Sequence, residues 1–413
     1  MKKFLAGFVC LLTAGIAVEA QSIYSFEGLG SLQHQGMPNN IGYGEVGIGT
    51  PSLWHVNTQN PANLIYNTFS TFQLGIEVDN RRFSGDEISG NDTHGGLRFL
   101  AYAFPVIRGK WSSSFGVLPY STVNYNTFSQ GPVAGNPGVF QISDNRGEGG
   151  LTNFYWANGF MIAKKIMVGV RANYTFGAID KESTISIGGT DLPISTVSYR
   201  DSESYSDINF QFGVGYRLRF TEKDYLNFGA TYSPTSNLNG TAELTLIRLS
   251  STGSELETQE IPSSDVNRDL PQSFGVGLSY QRLNNLTIGM DFELQQWQNA
   301  ARENDTFNNF SKIALGIDWI PDYDDVNSYF ERARYSIGVN RTRLPYIVNN
   351  QSLTDFGINF GASLPVSGYS SLDLAVKIGQ LGKSGNGLIR ENYFRIVIGA
   401  TINDRWFIKR RYD

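Results

Sequence analysis

From Leu286 to Gln295, apolar Leu286, Ile288, Met290, Phe292 and Leu294 alternate with Thr287, Gly289, Asp291, Glu293 and Gln295. The segment Ile208 to Phe220 repeats the pattern, with Phe210, Phe212, Val214, Tyr216 and Leu218 set against Asn209, Gln211, Gly213, Gly215, Arg217 and Arg219. Successive side chains leave a strand on opposite faces, so a period of two predicts strands. Similar stretches begin at Ile166, Phe274, Ile313, Phe356, Leu372 and Phe394. Each lasts about nine to eleven residues, enough for a tilted strand to cross a bilayer, whereas strands of soluble sheets average about five or six.

Fourteen candidate strands result, from 66–79, 94–106 and 111–124 at the start to 354–364, 371–380 and 391–402 at the end. Tight connections, such as Lys164 and Thr221-Glu222, alternate with long polar loops at 80–93, 125–148, 180–203, 235–268, 298–308, 343–353 and 381–390. An even strand number with short turns at one end and long loops at the other predicts an all-β fold, a transmembrane antiparallel β-barrel of about 14 strands. The strand-like run from Gly240 to Arg248 is assigned to the loop after Pro234, because counting it would make the barrel odd.

Composition agrees. The chain has 45 Gly, 27 Phe, 21 Tyr and 6 Trp, and only 17% of its residues are charged. That balance suits a wall in which every second residue faces lipid. A net charge of −5 speaks against a nucleic-acid partner. Lys2 and Lys3, the apolar run Phe4 to Val18 and the exit Val18-Glu19-Ala20 read as a secretory signal peptide over residues 1–20. Cys10 lies within it, so the remainder offers no disulfide and no thiolate site. The expected plan is therefore a signal peptide (1–20), an N-terminal hatch inside the lumen (21–65), the barrel (66–402) and a periplasmic C-terminal tail (403–413).

Charge assigns the faces, because Arg or Lys at the bilayer midplane costs about 2–4 kcal/mol. Arg217, Arg219, Asp291, Glu293, Lys312 and Asp318 are thereby expected in the lumen as a polar network, with Met290 and Phe292 toward lipid. Asp291 and Glu293 as an acid/base pair is the alternative, but neighbouring basic residues make a salt-bridge network the simpler reading. His34, His55 and His94 lack metal-ligand spacing. No phosphate loop, nucleophile elbow or zinc motif occurs. No catalytic residue, metal or cofactor is expected, and the chain reads as a non-enzyme.

Pro119 falls within the third candidate strand. Proline cannot donate to a ladder, so a bulge or a local gap in the wall is expected there, with a hatch residue, Asn60 being the nearest candidate, satisfying the freed groups. Tyr125, Phe128, Val133, Val139 and Phe140 are expected to contribute an apolar pocket in the second long loop.

The stretch Leu270-Pro271-Gln272-Ser273-Phe274-Gly275-Val276-Gly277-Leu278-Ser279-Tyr280, with Asp291, Glu293 and Trp297 after it, resembles the FadL/TodX family of outer-membrane transporters. Gly47-Ile48-Gly49 and Asn60-Pro61-Ala62 are similar to that family's hatch, and Pro119-Tyr120 to its kinked third strand. The opening Tyr24 to Gly30 and the ending Asn403 to Asp413 look like the branch found in Bacteroidota. The resemblance implies a fourteen-stranded barrel in the outer membrane of a Gram-negative bacterium, among outer-membrane lipids. It implies passive uptake of hydrophobic small molecules, fatty acids or other lipophilic compounds, through hatch and lateral opening. The alternative it carries is the Plug subunit of the type IX protein-secretion translocon, whose partner would be a large translocon subunit. A general diffusion porin fits less well, because residues 21–65 would obstruct an open pore.

Overall fold

The computed structural model describes residues 22–405, apart from 86–88, 134, 137, 190, 191, 251, 252, 301–306 and 386. The expected signal peptide and residues 406–413 of the expected tail lie outside the described residues. In chain order the strands are β1 (Ser31–Leu32), β2 (Ser70–Ser84), β3 (Ser89–Ile107), β4 (Trp111–Pro132), β5 (Val139–Ala163) and β6 (Ile166–Gly189). Then come β7 (Leu192–Arg219), β8 (Asp224–Ser233), β9 (Ser236–Leu249), β10 (Glu255–Leu270), β11 (Ser273–Arg282) and β12 (Leu286–Gln295). The last are β13 (Phe310–Trp319), β14 (Arg334–Val348), β15 (Gln351–Ser367), β16 (Ser370–Leu381) and β17 (Arg390–Asp404).

Sequential antiparallel pairing runs round the wall, and β17 closes on β2 from Arg390↔Ser84 to Asp404↔Ser70. β8 pairs directly with β11, which leaves β9 and β10 outside the wall as a hairpin. The barrel is thus a closed sheet of fourteen strands, and Gly240–Arg248 belongs to the excluded β9. Closure matters because hydrocarbon offers no partner for a free strand edge. The faces follow the alternation: Met290 and Phe292 are 49% and 42% exposed on the outside, whereas Asp291 is 4% exposed inside.

Five long loops of the sequence reading, 80–93, 125–148, 180–203, 235–268 and 343–353, are largely strand instead. β4 and β5 extend to Pro132 and from Val139, β6 and β7 reach Gly189 and Leu192, and β9 joins the upper part of β7 from Thr196↔Leu249 to Tyr205↔Gly240. Together with β10 they form a crown standing beyond the apolar band. In water a strand needs no continuous apolar face, so runs such as Lys181 to Gly189 looked like loop. Phe128 and Phe140 are 61% and 48% exposed on this crown, so with Tyr125, Val133 and Val139 they do not enclose the expected pocket.

Residues 22–69 occupy the lumen. Met37, Ile41, Tyr43, Val46, Ile48, Ala62 and Leu64 are all buried. Wall glycines make the room. A Cβ on Gly213 would strike Asn60, on Gly229 the carbonyl of Ile48, on Gly277 the backbone of Gly49, and on Gly316 the carbonyl of Tyr43. These positions are glycine because another backbone approaches there.

Candidate functional site

The wall divides where the sequence places Pro119. β3 pairs with β4 only from Leu100↔Val117 to Ile107↔Trp111, while β4 stays paired with β5 as far as Pro132↔Phe140. Beyond Leu100 and Val117 the two strands part. Pro119 and Tyr120 stand at this fork, and the β4–β5 register shifts between Pro119↔Thr152 and Ser121↔Leu151, leaving Tyr120 as an extra residue. A bulge is how a ladder accommodates a residue without a donor.

The hatch fills the fork. β1 pairs with β4 through Ser31↔Thr122 and Leu32↔Ser121. The Gln33 N–H donates to the Tyr120 carbonyl at 2.9 Å and the Gln35 amide to the Pro119 carbonyl at 2.8 Å. From the other bank, Arg98 on β3 donates to Gln33 Oε1 at 2.7 Å and to the His34 carbonyl. Residues 31–35 therefore stitch β3 to β4. The expected repair by Asn60 is replaced by Gln35. Asn60 instead donates to the carbonyls of Ile48 and Val214 at 2.9 and 3.1 Å, and its Oδ1 accepts from Ala62 N–H, opening the turn Pro61–Tyr66. Asn60, Pro61 and Ala62 thus fix the hatch near the short-turn end.

The six expected lumen groups do not form one network. Asp291 accepts from the backbone N–H groups of Gly47 and Ile48 at 2.6 and 2.7 Å, with Gly49 at 3.4 Å, and so grips the hatch rather than a cation. Glu293 accepts from Gln295 on its own strand. Lys312 pairs with Glu45 of the hatch at 2.9 Å. Asp318 pairs with Arg334 at 3.8 Å, and Arg217 lies over the Tyr66 and Tyr225 rings. Arg219 is exposed at the short-turn rim, where it donates to the Thr221 carbonyl.

Sequence reasoning missed the pairings that matter most. Glu45 takes both Lys312 and Lys377 at 2.9 Å, and Lys377 also meets Asp355 at 3.1 Å. Burial pushes the Glu45 carboxyl up, but the two lysines override it and hold it well below the usual carboxylate range. Beside it His34 is held well below the ordinary histidine value, first by burial and then by Lys312. Higher up, Asp79 and Glu391 bracket Arg81, and Ser22 donates to Glu391 at 2.9 Å.

Above the hatch lies a cavity of about 190 Å³, reached by Tyr120, Phe310, Leu344, Glu293 and Arg171. Arg171 is buried and donates to the Thr58 carbonyl, and no carboxylate pairs with it among the described residues.

Solved structures share this architecture. The P. putida toluene transporter TodX is 12% identical with a TM-score of 0.59, covering 90% of this chain and 100% of that one. The CymD monoaromatic hydrocarbon channel gives 13% identity and 0.58, covering 92% and 99%. The Ralstonia pickettii toluene transporter TbuX gives 13% and 0.57, covering 90% and 99%. At such identities the likeness establishes the FadL/TodX-type fold and nothing further. No curated protein matches the sequence. The BamG family model, however, matches residues 1–413, the whole length, and the chain therefore belongs to the BamG family.

Proposed function

We propose that the chain is a passive channel of the Gram-negative outer membrane that admits hydrophobic small molecules at the crown end and releases them sideways between β3 and β4. The observation that carries this reading is the parted wall at Leu100 and Val117, spanned by a hatch segment instead of a wall ladder. A wall built only to be sealed gains nothing from dividing there, since each unpaired backbone group facing hydrocarbon costs several kcal/mol. The mixed lining of the cavity suits an amphiphile or a lipophilic compound with a polar end, its head toward Arg171 and its body against Phe310 and Leu344. That the similar solved barrels include toluene and monoaromatic hydrocarbon channels adds support.

A reversible staple tests it. Ser31 and Thr122 are directly opposed, and opposed antiparallel residues have Cα separations of about 4.5–5.5 Å, within disulfide range. The Ser31→Cys/Thr122→Cys variant, oxidised, should stop uptake of a hydrophobic probe by outer-membrane vesicles or liposomes, and reductant should restore it. Undiminished uptake by the stapled form would place the route elsewhere.

The second reading is the type IX Plug, a structural role without solute. The Asp291 grip and the Glu45–Lys312–Lys377 cluster favour it, because both hold the hatch firmly in the lumen. Under that reading the wild-type chain transports no hydrophobic probe and co-purifies with a very large translocon subunit.

A further inference from the structure

The crown carries a surface that a membrane passage does not use. Among the described residues β10 has one ladder partner, β9, from Glu255↔Leu249 to Leu270↔Ser236, and its opposite edge is unpaired. Residues 255–265 are exposed throughout. At the lower end Pro262 and the register shift between Ile261 and Ser264 blunt the edge, as natural sheets commonly do. The register shifts once more between Glu255 and Glu257, and the five residues from Glu257 to Ile261 keep a regular edge of ordinary strand length.

Side chains and charge narrow what can add there. Residues 255–265 include Glu255, Glu257, Glu260 and Asp265 and no lysine or arginine. Among the described residues the carboxylate of Glu257 pairs only with the exposed Arg248, at 3.8 Å. On one face of the sheet Ile261 opposes Leu244, Gln259 opposes Leu246, which opposes Tyr199, and Val197 opposes Ile185. Opposed residues share a face, so these side chains form an apolar patch that reaches the free edge. Ile185, Val197, Tyr199 and Ile261 are each 37–42% exposed. A second copy adding β10 to β10 would set glutamate against glutamate, and phosphate-bearing lipid headgroups would meet the same repulsion.

We propose that Glu255–Ile261 accepts, as an added strand, an extended segment of another protein in which basic residues alternate with apolar ones. Backbone pairing along the edge supplies affinity, the apolar residues continue the Leu244–Leu246–Ile261 patch, and the basic residues meet Glu255 and Glu260 on the opposite face. The docked segment lies outside the membrane on the crown, so this surface is independent of the β3–β4 fork.

The test uses the full chain in detergent and a labelled twelve-residue peptide of alternating lysine and valine, read by fluorescence anisotropy. Three control peptides accompany it: one with glutamate for lysine, one with the same composition in scrambled order, and one N-methylated at alternate residues. Binding should weaken at least tenfold for every control, and likewise for the parent peptide against the Glu255→Lys/Glu257→Lys/Glu260→Lys variant. Glu255→Gln/Glu257→Gln/Glu260→Gln should give an intermediate loss, and unchanged heat-modifiable gel mobility checks that both variants retain the barrel. Equal binding of the scrambled or N-methylated peptide would mean charge attraction alone and overturn the proposal. Unchanged binding to the lysine variant, or none to the wild type, would overturn it too.

Discussion

Replacing Asp291 by alanine removes the acceptor of two short hydrogen bonds from the hatch backbone, Gly47 N–H at 2.6 Å and Ile48 N–H at 2.7 Å. The site is buried, and the residues opposite Asp291 on the adjoining strands are Gly277 and Ala314, neither of which can substitute as a side-chain acceptor. A hydrogen bond to a charged group contributes about 1.5–3 kcal/mol, so the two short bonds together contribute about 3–6 kcal/mol. The contact from Gly49, at 3.4 Å, lies beyond the usual range and adds little. Glu45 and Asn60 still anchor the hatch on either side, which confines the loss to the segment around Gly47. With about 1.36 kcal/mol per tenfold, a loss of about 3 kcal/mol is roughly a hundredfold in the opening equilibrium. Hydrogen exchange followed by mass spectrometry on the full chain should therefore show the 44–52 region exchanging at least about a hundredfold faster in Asp291→Ala, with β13–β17 unchanged as internal reference. Asp291→Asn, which keeps one carbonyl acceptor, should fall between. Wild-type exchange in Asp291→Ala would refute the grip, and uniform acceleration across the barrel would make Asp291 a wall residue and not a hatch anchor.

His34 is depressed in the closed hatch and regains an ordinary value near 6.5 on release, so the released state binds more protons. Hatch protection should consequently weaken as pH falls through about 6.5, and His34→Gln should remove that dependence; an unchanged pH profile in the variant would contradict it. Glu45 has the depressed-acid sign: its stabilisation is complete above about 4.5 and is lost as pH falls further, so Glu45→Gln should flatten only the most acidic part of the same profile. Gly229→Val puts a side chain where the Ile48 carbonyl lies, and should expose residues 41–65 to exchange while leaving heat-modifiable mobility intact; a fully protected hatch would refute the steric argument. Deleting residues 22–65 should raise the permeability of liposomes to small sugars in a swelling assay, whereas unchanged swelling would mean that the crown and loops close the lumen themselves.

What was legible in the sequence is what one rule repeats. A bilayer forces Leu286 to Gln295 and its counterparts into the same alternation, so strand number and faces could be read from local pattern, while the exclusion of β9 rested on the even count a barrel requires. Pro119 was legible for a similarly local reason, since its missing donor marks the wall wherever the partner lies. Its repair was not. Gln35 and Asn60 are both hatch amides able to reach a carbonyl, and only the path of the chain through the lumen decides that Gln35 arrives at the fork while Asn60 is spent on Ile48 and Val214. The polar network failed for the same cause. Asp291, Lys312 and Asp318 were expected to face inward, but inward side chains meet only partners at their own height in the barrel. Those heights separate Asp318, near Arg334, from Lys312, whose partner is Glu45 in the hatch. Gly213 and Gly277 each leave space for a particular hatch atom, and neither names it, because a glycine announces that something approaches without saying what. The wall is thus encoded strand by strand, whereas the hatch is encoded in backbone contacts such as Asp291 to Gly47, between residues far apart in sequence and linked by no periodicity. A function that resides in how the hatch seats and unseats has to be sought in those contacts.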